Sequence, residues 1–225
     1  MARMLYLYEE IMLLALRDEE GTIASGTRYE YATGGAILAE LLLNQRIHIE
    51  HGRKKPRVHL LDSAPTGDSL LDECLETISA AKKTKSLEDW VSRFAGIKNL
   101  RHRIARQLCN AGILRADEKK VLLLFTRRIY PEVNPEPERK LIERLRQAIF
   151  TDTSDVDDRT AVLVSLGKAA DLLKVVFAKK ELKNRKERIK QIVEGEALGK
   201  AAKEAIEAVE AAETVAYIVP IVTST

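Results

Sequence analysis

The sequence has 225 residues and a mass of 25.3 kDa, enough for one large domain or two small ones with a sizeable core. Its composition, 45% hydrophobic and 32% charged, excludes a disordered or collagen-like chain. The formal net charge of +3 is unevenly distributed, because residues 93–130 contain ten Lys or Arg and only two acidic residues. This basic block is the first indication of an anionic partner.

The first half of the chain alternates helical and strand patterns without the βαβ order of a parallel sheet. An amphipathic helix is predicted over residues 5–16 and a second helix over 34–44. A β-hairpin follows, with strands at 46–50 and 57–61. Further helices are predicted after the turn at 63–68, after a capping box of Ser86 and Asp89, and from Ile97 to Cys109.

The second half begins with another predicted hairpin, whose strands are Ile113-Leu114 and Val121 to Phe125, joined by a turn at 116–120. After a proline-rich connector, four helices are predicted to start near Glu138, Asp158, Glu181 and Leu198. The prediction is a mainly α fold: one compact helical domain, residues 1–225, with two short β-hairpins.

Signals for catalysis, cofactors and metals are weak. The sequence contains no dinucleotide-binding, P-loop or nucleophile-elbow motif, so neither an enzyme nor a cofactor is predicted. His48, His51 and His59 have no suitably spaced carboxylate or thiol to complete a metal site. The acidic run at 152–158 favours helix capping over a calcium loop.

Cysteine usage and hydropathy indicate the compartment. Cys74 and Cys109 lie far apart beside apolar residues, which predicts two reduced thiols in a reducing compartment. No uncharged run approaches the roughly 18–20 apolar residues of a membrane span, and the N-terminus does not resemble a signal peptide. We therefore expect a cytoplasmic protein.

Within the basic block, the predicted helix from Ile97 carries two cations of interest. On a helical wheel Lys98 and Arg101 lie on one flank of the apolar stripe, whereas Arg103 and Arg106 point elsewhere. An arginine beside a core stripe either pairs with a carboxylate or receives an anion. The sequence leaves both alternatives open.

The second hairpin carries an apolar segment between cations. Leu122, Leu123, Leu124 and Phe125 are flanked by four basic residues, Lys119, Lys120, Arg127 and Arg128. An apolar tip between cations fits a peripheral membrane anchor, since acidic lipids attract the charges and the apolar side chains insert. The alternative is that these apolar residues lie in the core or in a subunit interface.

Two other classes of function fit the same residues. A helix followed by a hairpin is the order of a winged helix, in which the turn containing Lys119 and Lys120 would contact nucleic-acid phosphates. Few base-reading side chains accompany it, so nucleic acid is disfavoured. A protein-binding adaptor that oligomerises through the hairpin is the third alternative.

Several separated motifs in matching order resemble the Golgi phosphoprotein 3 family over nearly the whole chain. The stretches that carry the resemblance are residues 5–21, 35–41, 63–73, 98–106, 112–114, the apolar hairpin, Asp158-Arg159 and 163–177. The most specific of them is Ser63-Ala-Pro-Thr-Gly-Asp-Ser-Leu-Leu-Asp-Glu73. The resemblance implies a mainly helical domain that associates peripherally with membranes, here as a bacterial-type member without a Golgi role.

The resemblance also implies a headgroup pocket. Eukaryotic members recognise phosphatidylinositol 4-phosphate and help retain glycosyltransferases through their cytosolic tails. Of the four pocket residues, the two basic ones spaced by three correspond to Lys98 and Arg101. The Trp and Arg before the second helix correspond to Ser25 and Gly34, which departs from the pattern. Arg28, Tyr29 and Tyr31 lie in the same loop and could substitute.

We therefore expect a non-enzymatic protein on the cytoplasmic face of a membrane. It would recognise an acidic phospholipid headgroup, of phosphatidylinositol 4-phosphate type, through Lys98, Arg101 and Arg28, with the apolar hairpin beside them. Its expected partners are the membrane surface, cytosolic tails of membrane proteins and further copies of itself.

Overall fold

The computed structural model describes residues 3–17, 20–52, 55–121, 125–194 and 198–218. Within these residues the fold is mainly α, as predicted, with short two-stranded antiparallel sheets. The helices are α1 (Leu7–Ala15), α2 (Tyr29–Leu43), α3 (Ser69–Ser79), α4 (Leu87–Ala95), α5 (Leu100–Asn110), α6 (Glu136–Phe150), α7 (Asp158–Ala169), α8 (Leu173–Val176), α9 (Lys179–Asn184), α10 (Lys186–Glu194) and α11 (Lys200–Ile218). The strands are β1 (Leu16–Arg17), β2 (Thr22–Ile23), β3 (Ile47–Glu50), β4 (Arg57–Leu60), β5 (Asp117–Val121) and β6 (Phe125–Ile129).

Helix α1 lies at the centre of the fold. All of its side chains are buried, including Glu9 and Glu10, so the prediction of an amphipathic helix is wrong. The helix contacts α2, α5, α6, α7 and α8, which leaves it no solvent-facing side. Its two carboxylates are tolerated there because Arg3 pairs with Glu9 and Arg144 pairs with Glu10.

Helix α2 packs closely on α4 and α11 through two adjacent glycines. A Cβ added at Gly34 would lie 2.6 Å from the carbonyl oxygen of Val91 in α4. A Cβ added at Gly35 would lie 3.0 Å from the Cβ of Ala212 in α11. The absence of side chains at these positions lets the three helices approach one another.

A buried ion pair connects α2 and α7 to the start of α1. Arg159 donates to both carboxylate oxygens of Glu40, at 3.0 and 3.1 Å. The backbone N–H of Leu7 donates to Glu40 at 2.7 Å, and Arg159 donates to the carbonyl of Leu5 at 2.6 Å. The pair thereby satisfies backbone groups at the N-terminus of α1 as well as its own charges.

Helix starts follow the side-chain caps that the sequence indicates. Ser86 and Asp89 form the predicted capping box of α4. Asp157, from the acidic run, accepts from the backbone N–H of Thr160 and caps α7, as the capping interpretation predicts. Asp68 caps α3 in the same way.

The first predicted hairpin is confirmed as β3 and β4, with His48 directly opposite His59. The second differs from the prediction. Its strands are β5 and β6, so the charged residues 117–120, predicted as a turn, belong to a strand, and the predicted strand Val121 to Phe125 is wrong because Val121 ends β5 and Phe125 begins β6. Leu114 instead bridges to Glu132 at the base of the hairpin. Hydrophobicity predicts a strand for the apolar residues 121–125. In the structure the backbone pairing instead joins the charged segments on either side of them, residues 117–120 and 126–129.

The pair β1 and β2 was not predicted, because two residues per strand are too few to show a pattern. No helix among the described residues is long and apolar enough to cross a membrane.

Candidate functional site

The basic block folds around the N-terminus of α5. Lys98 is exposed in the turn before the helix, and Asn99 takes a left-handed conformation with a φ of 57°. Arg101 follows in the first turn of the helix and is half-buried. Because the helix begins at Leu100 and not at Ile97, the turn at Asn99 positions Lys98, and the predicted shared helical flank does not exist.

No carboxylate neutralises the main cations of this surface within the described part of the chain. Arg103 differs, since its guanidinium lies 2.6 Å from the carboxylate of Glu73 in α3. Seven described cations of residues 93–130 form no ion pair with a described residue: Arg93, Lys98, Arg101, Arg106, Lys119, Arg127 and Arg128. Arg101 therefore forms no structural ion pair with a described residue, which leaves its guanidinium available to an anion.

A hydrogen-bonded pair, His102 and Tyr130, lies among these arginines. The Nδ1 atom of His102 is 2.7 Å from the Oη of Tyr130. Burial lowers the pKa of His102, and the charges of Arg101, Arg128 and Arg106 lower it further. The charges of three guanidinium groups, from α5 and β6, therefore act on this hydrogen-bonded pair, which indicates a positive potential at the surface.

The start of α5 adds to this potential. Its first turn has no acidic residue, and Asn99 makes no side-chain capping hydrogen bond. The positive end of a helix dipole disfavours Arg101 at this position and favours an anion. The arrangement is one that a bound anion would stabilise.

The hairpin of β5 and β6 adjoins this surface, because Tyr130, directly after β6, contacts His102 in α5. The described side chains of residues 117–119 and 126–128 are exposed. Lys119 lies directly opposite Arg127, and like charges at opposing positions repel each other. The predicted inserting residues Leu122, Leu123 and Leu124 lie outside the described residues, as do the side chains of Lys120 and Phe125.

Arg28 lies in other surroundings. It precedes α2, donates to the carbonyl of Ala169 at 3.0 Å and lies 3.5 Å from the carboxylate of Asp171. Its guanidinium stacks 4.2 Å from the ring of Tyr217. No hydrogen bond, ion pair or ring contact among the described residues joins Arg28 to Lys98 or Arg101.

The two positions that depart from the family pattern have different surroundings. Ser25 is exposed, with its hydroxyl 3.4 Å from Arg17. Gly34 is buried against α4, where any side chain would meet the backbone of Val91. Gly34 therefore offers no room for a headgroup-binding arginine in this chain.

The three histidines of the first hairpin have ordinary partners. The rings of His48 and His59 stack at 5.3 Å, and His51 lies 2.8 Å from the carboxylate of Glu207. Across the described ranges, no three His, Cys, Asp or Glu side chains are grouped to hold a metal ion. Cys74 is buried and Cys109 half-buried, and both are free thiols.

Comparison with known proteins places these features in a family. The model of the Golgi phosphoprotein 3 (GPP34) family matches residues 7–209. The chain belongs to this family. It is similar to vacuolar protein sorting-associated protein 74 of Schizosaccharomyces pombe, with 27% identity over 173 residues. The alignment covers 68% of this chain and 51% of the yeast protein, so the chain spans about half the length of that relative.

The basic surface around α5 and the hairpin of β5 and β6 both lie inside the segment that matches this GPP34 family. A second concentration of positive charge was not predicted. Residues 174–190 contain eight Lys or Arg and two Glu, and this excess is visible in the sequence itself. Several of these cations surround the cavity that contains Arg28.

Proposed function

We propose that this protein associates peripherally with a membrane and recognises an acidic phospholipid headgroup through Lys98 and Arg101. The observation that carries the proposal is that Arg101, Arg106 and Arg128, whose charges act on His102 and Tyr130, form no ion pair with a described carboxylate. A headgroup phosphate supplies the missing counter-charge, and charge-assisted hydrogen bonds to arginine are the strong ones.

The hairpin is proposed to insert its apolar tip, Leu122 to Phe125, into the same membrane. The position of these residues between two strands with exposed cations supports this assignment. Acidic lipids attract each nearby cation by about 1 kcal/mol, and each inserted Leu or Phe adds roughly 1.5–3 kcal/mol. Neither contribution is large alone, so stable binding needs the two together.

We further propose that the headgroup is of phosphoinositide type and that the protein acts as an adaptor for cytosolic tails of membrane proteins. Membership of the Golgi phosphoprotein 3 family supports both statements, as does similarity to a protein named for vacuolar sorting. Lys98 and Arg101 are proposed to contact the headgroup directly, and Arg106 and Arg128 add positive charge to the same surface. Arg28 is left out of this assignment because of its separate surroundings.

Vesicle flotation tests the lipid assignment. We expect binding to phosphatidylcholine vesicles that contain phosphatidylserine or phosphatidylinositol 4-phosphate, and not to phosphatidylcholine alone. The double variant Lys98→Ala with Arg101→Ala should reduce binding about tenfold or more, since two phosphate contacts are lost. The matched control, Arg139→Ala with Lys140→Ala, removes the same charges from exposed positions in α6 and should bind as the unaltered protein does.

Other outcomes identify the alternatives. Binding that ignores lipid charge, or that survives the Lys98 and Arg101 substitutions, contradicts the proposal. A salt-sensitive complex with duplex DNA in the absence of vesicle binding would indicate the winged-helix interpretation. Loss of self-association in a Leu123→Asp variant, measured by light scattering, would indicate an oligomeric adaptor.

A further inference from the structure

A cavity of 690 Å³ lies among α7, α8, α9, α10 and α11, next to the start of α2. Its walls include Arg28, Leu173, Leu182, Lys183, Ile189 and Tyr217. The volume falls within the range of about 300–1,000 Å³ that small-molecule sites occupy. Neither Lys98 nor Arg101 lines it, so it is separate from the surface around α5.

The floor of this cavity is apolar and closely packed. Leu173 and Ile189 are buried, and Leu182, which also lines the cavity, is half-buried. Gly167 in α7 lies beneath Leu173, where an added Cβ would be 2.8 Å from the leucine Cδ2. The floor therefore offers a fixed surface to an apolar ligand group.

The rim is cationic. Besides Arg28, the lining cations are Lys168, Lys174, Lys179, Lys183, Lys186 and Lys190, against four acidic side chains, Asp171, Glu187, Glu194 and Glu213. Lys174 pairs with Asp171 and Lys190 with Glu194. In the part of the chain that the structure describes, Lys179, Lys183 and Lys186 have no ion-pair partner, so the rim carries unneutralised positive charge.

Arg28 and Tyr217 form one side of the opening. The Nη1 of Arg28 donates to the carbonyl of Ala169 near the end of α7, which fixes the guanidinium. The ring of Tyr217 is 67% exposed and lies 4.2 Å from that guanidinium. A cation–π contact of this kind holds an exposed aromatic ring at the entrance without burying it.

We infer that this cavity binds a single-chain amphipathic anion, an acyl or alkyl chain that ends in a phosphate or carboxylate. The chain lies on the Leu173, Leu182 and Ile189 floor, and the head group is held by the lysines of α9 and α10. A fully polar anion would leave the apolar floor in water, and a neutral lipid would leave the rim charges without counter-charge. The inference does not depend on the headgroup site near α5.

Isothermal titration with decyl phosphate, decanoate, decanol and inorganic phosphate, all below micelle-forming concentrations, tests the inference. We expect the two amphipathic anions to bind at least about tenfold more tightly than decanol or inorganic phosphate. Lys183→Glu with Lys186→Glu should weaken decyl phosphate binding about tenfold or more, because two attractive charges become repulsive. Leu182→Ser should weaken decyl phosphate binding and leave the weak binding of inorganic phosphate unchanged.

The matched control is Lys82→Glu with Lys83→Glu, which makes the same charge change at exposed residues that do not line the cavity. It should bind decyl phosphate as the unaltered chain does. Urea unfolding of each variant establishes that the fold is retained. The inference is overturned if the unaltered chain binds neither anion, if inorganic phosphate binds as tightly as decyl phosphate, or if the Lys183 and Lys186 substitutions change nothing. Vesicle binding that depends on Lys98 and Arg101 is a separate readout, so the two proposals fail independently.

Discussion

At the scale of single residues, Arg159 stands out because its guanidinium contacts two buried carboxylates and a backbone carbonyl. It holds Glu40 in a bidentate pair, lies 3.6 Å from Glu10 and donates to the carbonyl of Leu5. Burial raises the pKa of Glu10, and the charges of Arg159 and Arg144 oppose that rise. Glu40 therefore depends on Arg159, whereas Glu10 is shared between Arg159 and Arg144.

Replacing Arg159 with Leu should destabilise the protein by about 3–5 kcal/mol, because it leaves buried charge without a partner. The free energy of unfolding in urea measures this loss. Arg139→Leu is the control, since Arg139 is exposed and its change should stay within about 0.5 kcal/mol. An Arg159→Leu variant as stable as the control would show that Glu40 and Glu10 do not need this partner.

His102 reports the electrostatic state of the surface around α5. Its pKa lies below the usual 6.5, so the unfolded chain takes up a proton more readily as the pH falls. The contribution of His102 to stability is therefore present above about pH 6.5 and is lost as the pH drops below it.

Arg101→Ala or Arg106→Ala should raise the pKa of His102, because each removes a repelling charge. Arg103→Ala should leave it unchanged, since Arg103 is paired with Glu73 and does not contribute to the shift. NMR titration of the His102 ring measures all three. Acidic phospholipid headgroups should raise the same pKa, and a pKa insensitive to Arg101 would contradict the arrangement described above.

At the scale of helices, the contact of α2 with α4 depends on Gly34. Gly34→Ala should cost about 1–3 kcal/mol of stability, because the methyl group would overlap the Val91 carbonyl. This loss should exceed the gain of about 1 kcal/mol that alanine brings to a helix. Gly35→Ala, whose Cβ has a longer closest contact, should lose less. Thermal or urea unfolding ranks the two, and the reverse order would be inconsistent with this packing.

In the hairpin, Lys119→Glu should separate stability from membrane binding. It converts a repelling pair with Arg127 into an attracting one, which contributes about 0.2–1 kcal/mol in an antiparallel pair. The variant should therefore be at least as stable as the unaltered chain while it binds acidic vesicles less tightly. Unfolding and flotation measure the two effects, and a destabilised variant would argue against the register of β5 and β6.

Local patterns predicted the elements that depend on local chemistry. The capping box at Ser86, the cap at Asp157 and the hairpin of β3 and β4 all follow from neighbouring residues. The burial of α1 did not, because Glu10 in this helix finds its partner far along the chain. Glu10 and Arg144 are 134 residues apart, just as Glu40 in α2 and Arg159 are 119 residues apart, and nothing in the local sequences marks either pair.

The sequence predicts which residues belong to the candidate site, but it does not predict how they are arranged in space. The basic block and the apolar run could be located from residue types alone. The place of Lys98 in a turn depends on the left-handed Asn99, and the effect of the arginine charges on Tyr130 depends on tertiary contacts. The family resemblance groups Arg28 with Lys98, whereas in the structure Arg28 contacts residues of α7 and α11.

At the scale of the whole molecule, positive charge occupies two regions of a chain that is otherwise acidic. One region is residues 93–130 and the other is 174–190. Contacts of α1 with α8, and of α11 with α2 and α4, connect distant parts of the chain, and a single domain over residues 1–225 stays a prediction.

Ionic strength should act on the molecule's binding and not on its folding. Raising salt from about 0.1 M to about 1 M shortens the screening length from about 10 Å to about 3 Å. Binding to acidic vesicles should therefore weaken sharply, whereas the urea midpoint should change little because the core ion pairs are buried. Flotation across a salt series measures the first effect. Salt-insensitive binding would assign the attachment to the apolar tip alone.

The base of the hairpin determines how a force on its tip would reach the helices. Tyr130 follows β6 directly, its backbone N–H donates to the carbonyl of Gly21, and its hydroxyl contacts His102 in α5. Gly21 leaves no space there, since an added Cβ would lie 2.4 Å from the nitrogen of Pro131. A pull or tilt imposed at the tip would thus reach the helix that carries Arg101 both along the chain that joins α5 to β5 and through the contact of Tyr130 with His102, so the hairpin and the basic surface are mechanically connected.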